Sequence, residues 1–403
     1  MSGVNHRAGL VLTGILLSSG VGADSYLDAQ REFETFQRQQ QSSYQQSVDE
    51  FEQYQRRLQQ AFDRYQAEGE KIWGKKRTVM PDSHTWVSYL GDLQHRGVVD
   101  FQTGQVTVEL AVERPRQDRD RRQLQDTVLK LLEQGKDPRS MLDLARDPVA
   151  RPVGDPVLSG QLANRDGTTA GPGDYPRLAA RAVEQLQVDQ LTGGDGQRRT
   201  VYRVELRLVD DHIRRRAALY QQDVHRFAEQ QAMPAALIYA IMETESMFNP
   251  MARSPAPAFG LMQLVPNSGA REAYRYLFNQ DRVVNDRYLY DPTNNIRLGS
   301  AFLNRLYYHY FADIEDRQTR IWTTVAAYNT GAGNVFRTFA GRYSRARFST
   351  RSRWKQAALR EINRRSPEQV YTFMRQHLPY RETRNYLKKV RTRIGKYQIS
   401  EGA

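Results

Sequence analysis

The sequence predicts an α+β protein in which a mostly helical second half follows a smaller mixed domain. Three observations carry this. Apolar residues alternate in "TWVSYL" and "RGVVDFQTGQVTVELAVE" with the two-residue period of strands. From His212 onward, successive segments keep the three-to-four spacing of amphipathic helices. Between them, "DPVARPVGDPVLSG" and "NRDGTTAGPGDYP" break both periods and read as loops. A length of 403 residues suits two such domains.

The elements follow in order. "MSGVNHR" is a positive start, "AGLVLTGILL" a short apolar run, and Val21 and Ala23 occupy the small positions of an export cleavage site. Residues 1–23 are therefore expected to be a signal peptide cleaved after Ala23; an uncleaved anchor is the alternative. The run is shorter than the ~20 residues of a membrane span, and no later segment is apolar enough to be one. Residues 24–72 place Tyr44, Val48, Phe51, Tyr54, Leu58, Phe62 and Tyr65 on one face of a long helix. A β-hairpin is expected around Asp100–Gln105, with Gly104 free to take positive φ. Helical spacing returns over 121–146, with Leu124, Val128, Leu131 and Leu132 on one side. A short helix and the strand-like "TVYRVELRLV" complete a domain over 24–208. The second domain, 209–403, is read as helices near 212–230, 234–246, 294–311, 318–329, 355–363, 366–376 and 382–394.

Composition narrows the function classes. Without cysteine there is no disulfide, no thiolate metal site and no thiol nucleophile, and a lipid-modified N-terminal cysteine is excluded. The seven histidines show no metal-ligand spacing, so no metal or other cofactor is expected. His309, in "LYYHYF", reads as a packed neighbour of aromatic residues. The net charge is +13, and residues 337–396 alone hold 18 basic against 3 acidic residues. Such a surface favours an anionic partner: nucleic acid, acidic lipid or an acidic polymer.

The stretch "ALIYAIMETESMFNP", residues 236–250, places two acids at the end of an apolar helix. Leu237, Ile241 and Glu245 are spaced i, i+4, i+8, so Glu245 continues the buried stripe. Glu243 lies about 160° round the helix and is expected near the exposed side. A buried glutamate has a raised pKa and can donate a proton near neutral pH. The plainer reading is a helix-end glutamate paired with an arginine.

Further along come "AFGLMQLVP", "AAYNTGAGNV" and "RETRNYLKKV". With the Glu-Ser of "METES", this ordered set over about 150 residues resembles the catalytic domain of the soluble-type (family 1) lytic murein transglycosylases. The resemblance implies a lysozyme-like fold for the second domain. It also implies Glu245 as catalytic acid and base, with Ser246, Met262, Gln263, Tyr328, Asn329 and Tyr386 as substrate-site residues. The implied reaction cleaves the β-1,4 bond between N-acetylmuramic acid and N-acetylglucosamine and leaves 1,6-anhydromuramic ends. A lysozyme-like hydrolase and a catalytically silent wall-binding scaffold are the alternatives. The sequence departs from the family pattern at Pro255 and Pro257, between the first two motifs. Peptidoglycan glycan strands become the expected partner and the periplasm the expected location, with peripheral membrane association left open and no nucleic acid. The N-terminal domain is left to position the enzyme on glycan or to meet proteins of cell-wall remodelling.

Overall fold

The computed structural model describes residues 49–50, 52–90, 92–137, 139, 141–144, 146, 154–254, 257–341 and 351–401. The expected signal peptide, the expected helix from 24 to 48, loop residues 147–153 and Pro255 lie outside the described residues. The chain divides into two compact units, 1–56 and 57–403. Everything that concerns the site lies in the second.

That unit begins with helical residues 57–73 (α1). A five-stranded antiparallel sheet follows, built from β1 (Thr85–Tyr89), β2 (His95–Asp100), β3 (Gln105–Val112), β4 (Gln187–Thr192) and β5 (Arg198–Arg207). Its spatial order is β1-β2-β3-β5-β4. The β2–β3 hairpin turns where the sequence places it, Asp100 pairing with Gln105. The Asp100 carboxylate accepts the backbone N–H groups of Gln102 and Thr103 at 2.8 and 3.2 Å, and Gly104 takes φ +72°. Strand β4 had no alternating pattern to announce it. It is the sheet's edge, with only Leu191 buried, and the "GGDG" turn before β5 was its one available signal.

Helix α2 (Gln117–Glu133) lays Leu124, Val128, Leu131 and Leu132 on the sheet, all fully buried. It ends well before residue 146, because Gln134 is already extended and Gly135 and Pro138 follow. A single turn, Met141–Leu144, comes later. Helix α3 (Tyr175–Ala182) closes the same core.

The rest is helical: α4 (His212–Ala218), α5 (Gln221–Gln230), α6 (Ala235–Ser246), α7 (Arg271–Phe278), α8 (Pro292–Asn304), α9 (Arg317–Thr330), α10 (Ala332–Ala340), α11 (Arg351–Asn363), α12 (Pro367–His377) and α13 (Arg381–Glu401). The sequence reading omitted α7 and α10, both short. Sequence chemistry sets several starts. Asp291 caps α8 by accepting the Asn294 N–H at 2.8 Å, with Pro292 in the first turn, and Asp316 caps α9 through Thr319 at 2.6 Å.

Arg216 joins the sheet to the helices. It is 2% exposed and, among the described residues, has no carboxylate partner. It donates to the Met247 and Phe248 carbonyls at 3.0 and 2.7 Å and to Gln161 Oε1 at 3.0 Å. Its guanidinium stacks 3.6 Å from the Phe101 ring centre. Met247 and Phe248, just past α6, have φ of 49° and 58°. The two left-handed residues cost on the order of 1 kcal/mol each, and the shared guanidinium offsets this at the end of α6 where a cation is favoured. Met247 also enters the core beneath the sheet.

Candidate active site

Helix α6 is buried on nearly every side. Residues Ala236 to Thr244 are all within 7% exposure, and Glu245 alone in the last turns keeps partial access. This corrects the expected position of Glu243. It is 7% exposed because α13 packs along that face of α6. Glu243 accepts from Arg393 Nε at 3.1 Å, Lys396 Nζ at 2.9 Å and Tyr397 Oη at 2.5 Å. Burial works to raise its pKa, but Tyr397, Lys396 and Arg393 outweigh that and hold it below the usual carboxylate value. The helix-end glutamate paired with cations is therefore Glu243.

Glu245 has the opposite surroundings. Burial pushes its pKa up to about 8; Glu382 adds to the rise, while Tyr386 and Lys389 oppose it. Tyr386 is 6% exposed, and its hydroxyl forms no well-shaped hydrogen bond. The Glu245 carboxyl is the acid it faces, and burial and that carboxyl hold the phenol well above its usual pKa. Tyr328 is also raised, by burial and by Glu245. Its hydroxyl donates to the Met262 carbonyl at 2.8 Å.

The remaining expected residues divide between surface and support. Gln263 and Asn329 line the cleft. Gln263 has φ 47° and donates to the Gly260 carbonyl at 2.9 Å; Asn329 accepts from Thr383 Oγ1 at 2.6 Å. Met262 is fully buried below them. Ser246 is fully buried as well, and its hydroxyl points inward to the Leu261 carbonyl at 2.7 Å. It braces α6 against the Gly-Leu-Met-Gln segment and presents nothing to the cleft.

Asn295, which the sequence reading missed, organises that segment. Its side chain accepts the Met262 N–H at 2.8 Å and donates to the Phe259 and Leu289 carbonyls at 2.9 and 2.8 Å. Gly260 beside it has φ +76°, and a Cβ there would stand 2.3 Å from both Asn295 Nδ2 and the Leu289 oxygen. No motif marks Asn295; only three-dimensional proximity reveals it.

These groups surround a cleft of about 910 Å³. One wall comes from the sheet domain. Ser83 and His84, just before β1, line it, and His84 Nε2 lies 3.4 Å from the Thr244 carbonyl. Burial keeps the His84 imidazole below its ordinary pKa, helped by Lys389 and Arg393. The facing wall is α13, which supplies Glu382, Asn385, Lys388, Lys389 and Arg393 beside Tyr386. Their spacing from Tyr386 on one helix was the signal available for them.

Comparison with known proteins gives the family. Residues 224–350 match the family model "Transglycosylase SLT domain". Residues 51–219 match "Membrane-bound lytic murein transglycosylase C, N-terminal domain". A membrane-bound lytic murein transglycosylase C of Klebsiella pneumoniae is 33% identical over 82% of this chain and 86% of its own length. The chain belongs to the membrane-bound lytic murein transglycosylase C family. A second such relative, from Salmonella arizonae, is 32% identical over 80% of this chain and 84% of its own. The 70 kDa soluble lytic transglycosylase of Escherichia coli aligns over 48% of this chain and 26% of its own, with 25% identity and a TM-score of 0.34. In this transglycosylase C family member, α13, with Tyr386 and its neighbours, lies beyond the segment matched by the catalytic-domain model.

Proposed function

We propose that this family member cleaves peptidoglycan as a lytic transglycosylase, with Glu245 as its single acid and base. The observation that carries the proposal is a glutamate poised near pH 8 in a cleft, faced by two buried tyrosines. Protonated Glu245 gives its proton to the bridging oxygen between N-acetylmuramic acid and N-acetylglucosamine. The C1–O bond breaks and positive charge develops at muramic C1, where the substrate's own acetamido group can share it. The glutamate then removes the proton of the C6 hydroxyl, and that oxygen closes on C1 as a 1,6-anhydro bridge. The proton lent is returned and no water is consumed. Tyr386 positions the carboxyl and tempers its pKa, and Tyr328 lies buried beside it. Gln263 and Asn329 are the polar groups offered to sugar; Met262 and Ser246 act from beneath.

One feature favours a second reading. Glu382 also lines the cleft, and a pair of carboxylates is what a hydrolase needs. The two readings predict different products. Digestion of purified peptidoglycan, followed by mass spectrometry, should yield anhydro-ended muropeptides that vanish with Glu245→Gln. Hydrated reducing ends would assign a hydrolase, and binding without cleavage a scaffold.

We place the boundary of the catalytic domain at residue 209, between the end of β5 and the Asp211 that precedes α4. Location follows from substrate. The family relatives are named membrane-bound, which supports a cell-envelope protein. The export-like first 23 residues support the periplasm, where peptidoglycan lies. Among the described residues no helix is long and apolar enough to cross a membrane. The sheet domain, as one wall of the cleft, is suited to holding glycan; its outer surface is the part left for proteins of wall remodelling.

A further inference from the structure

The cleft changes sign along α13. Glu382, Tyr386, Lys389, Arg393 and Lys396 recur at helical spacing on the wall that faces Glu245. Tyr386 marks the level of the reacting carboxyl. Glu382 lies one turn to one side of it. Lys388, Lys389, Arg393 and Lys396 lie to the other, spread over about 12 Å of helix axis.

Part of this charge is already matched. Arg393 and Lys396 share the one carboxylate of Glu243. Lys388 and Lys389 are exposed in the cleft, and among the described residues neither forms an ion pair. Lys389 stands close enough to Glu245 and His84 to influence both. Like charges one turn apart repel and cost the fold a little. A cluster of cations on one side of a reacting centre, with His84 on the facing wall, favours an anionic group there.

The bulk of a glycan strand is neutral. Its negative charge sits on the carboxylates of the peptide stems carried by the muramic residues. We propose that Lys388 and Lys389 bind stem-peptide carboxylates on one side of the bond to be cleaved. The enzyme then prefers stem-bearing strands to bare glycan, and the asymmetric field fixes the direction in which a strand lies in the cleft. This rests on the peptidoglycan reading of the same site.

The test compares soluble glycan strands with intact stems and the same strands stripped of stems by an amidase, with the lactyl carboxylate this frees blocked as a neutral amide. The readout is the ratio of kcat/KM for anhydro-ended products. Wild type should favour the stem-bearing strand by about tenfold at low salt, the scale expected of two exposed ion pairs, and rising salt should flatten the ratio. Lys388→Gln with Lys389→Gln should bring the ratio close to one, and the double arginine variant should restore it. A wild-type ratio of one, or a double glutamine variant that keeps the wild-type ratio, overturns the proposal. Calorimetric binding of both strands to Glu245→Gln reads the same preference without turnover. A failure of the transglycosylase reading is therefore recognised separately, as the lack of anhydro ends from either strand.

Discussion

Glu243 and Glu245 stand two residues apart on α6 and are driven toward opposite protonation states. Both are desolvated, which alone would raise both pKa values. Glu243 meets Tyr397, Lys396 and Arg393 and stays ionised. Glu245 meets the Tyr386 phenol, Lys389 and another acid, and burial pushes its pKa up to about 8. One helix thus carries a fixed anion that anchors α13 and a proton donor that faces α13's tyrosine.

The donor must be protonated at the start of the reaction. The alkaline limb of kcat/KM should therefore fall near pH 8, where Glu245 ionises. Tyr386 lowers the Glu245 pKa and Glu382 raises it. Tyr386→Phe should move the limb to higher pH and reduce turnover; Glu382→Gln should move it to lower pH and keep anhydro products. A pH–rate series on soluble muropeptides reads both. Unmoved limbs in the two variants would remove Glu245 from the titration.

Stability should respond to Glu245 in the reverse sense to an ordinary carboxylate. Its folded pKa lies above the unfolded value of 4.5, so the folded protein holds the proton more tightly. The cost of ionising it is nil below the unfolded pKa, grows as pH rises toward 8, and is complete above that. Glu245→Gln removes that cost. The variant should match wild type at about pH 4 and exceed it by up to about 5 kcal/mol above pH 8. Urea denaturation across that range checks the sign.

Glu243 should behave the other way. Its folded pKa is depressed, so its contribution is present above the unfolded value and is lost as pH falls through the folded pKa. Glu243→Gln leaves Arg393 and Lys396 without their carboxylate. With Lys396 46% exposed, the loss is set at about 2 kcal/mol at neutral pH, below that of a fully buried pair. The gap from wild type should narrow on acidification, and turnover should drop as Tyr386 loses its fixed position. Denaturation midpoints at two pH values distinguish this from a general loss of packing.

Asn295→Ala would strand the Met262 N–H and two carbonyls in a buried place. We expect a loss of about 2–4 kcal/mol and a larger loss of turnover than of folded protein, because Gln263 and the Tyr328 acceptor both depend on that segment. Circular dichroism with parallel rate measurements separates the two effects.

Much of the fold is local and was readable. The hairpin at Asp100–Gln105 and the stripe Leu124, Val128, Leu131, Leu132 follow from period alone. Glu245 stood out because it continues the Leu237–Ile241 row. Glu243 was misjudged for a specific reason: helical periodicity assumes one covered face, and α6 is covered on the other by residues some 150 positions later. Asn295 and His84 were invisible on the same ground. Each acts through a partner distant in sequence, and neither sits in a pattern that spacing can detect. Edge strand β4 escaped because an exposed strand carries little apolar signal.

Arg216 has a consequence for how this protein can be divided. Its guanidinium fills a place shared by Phe101 and Gln161 on one side and by the Met247 and Phe248 carbonyls on the other. Excising the helical half at residue 209 would bare the stacking face of a buried cation and loosen the turn directly after the proton donor. The half that holds the chemistry is therefore not a portable cassette.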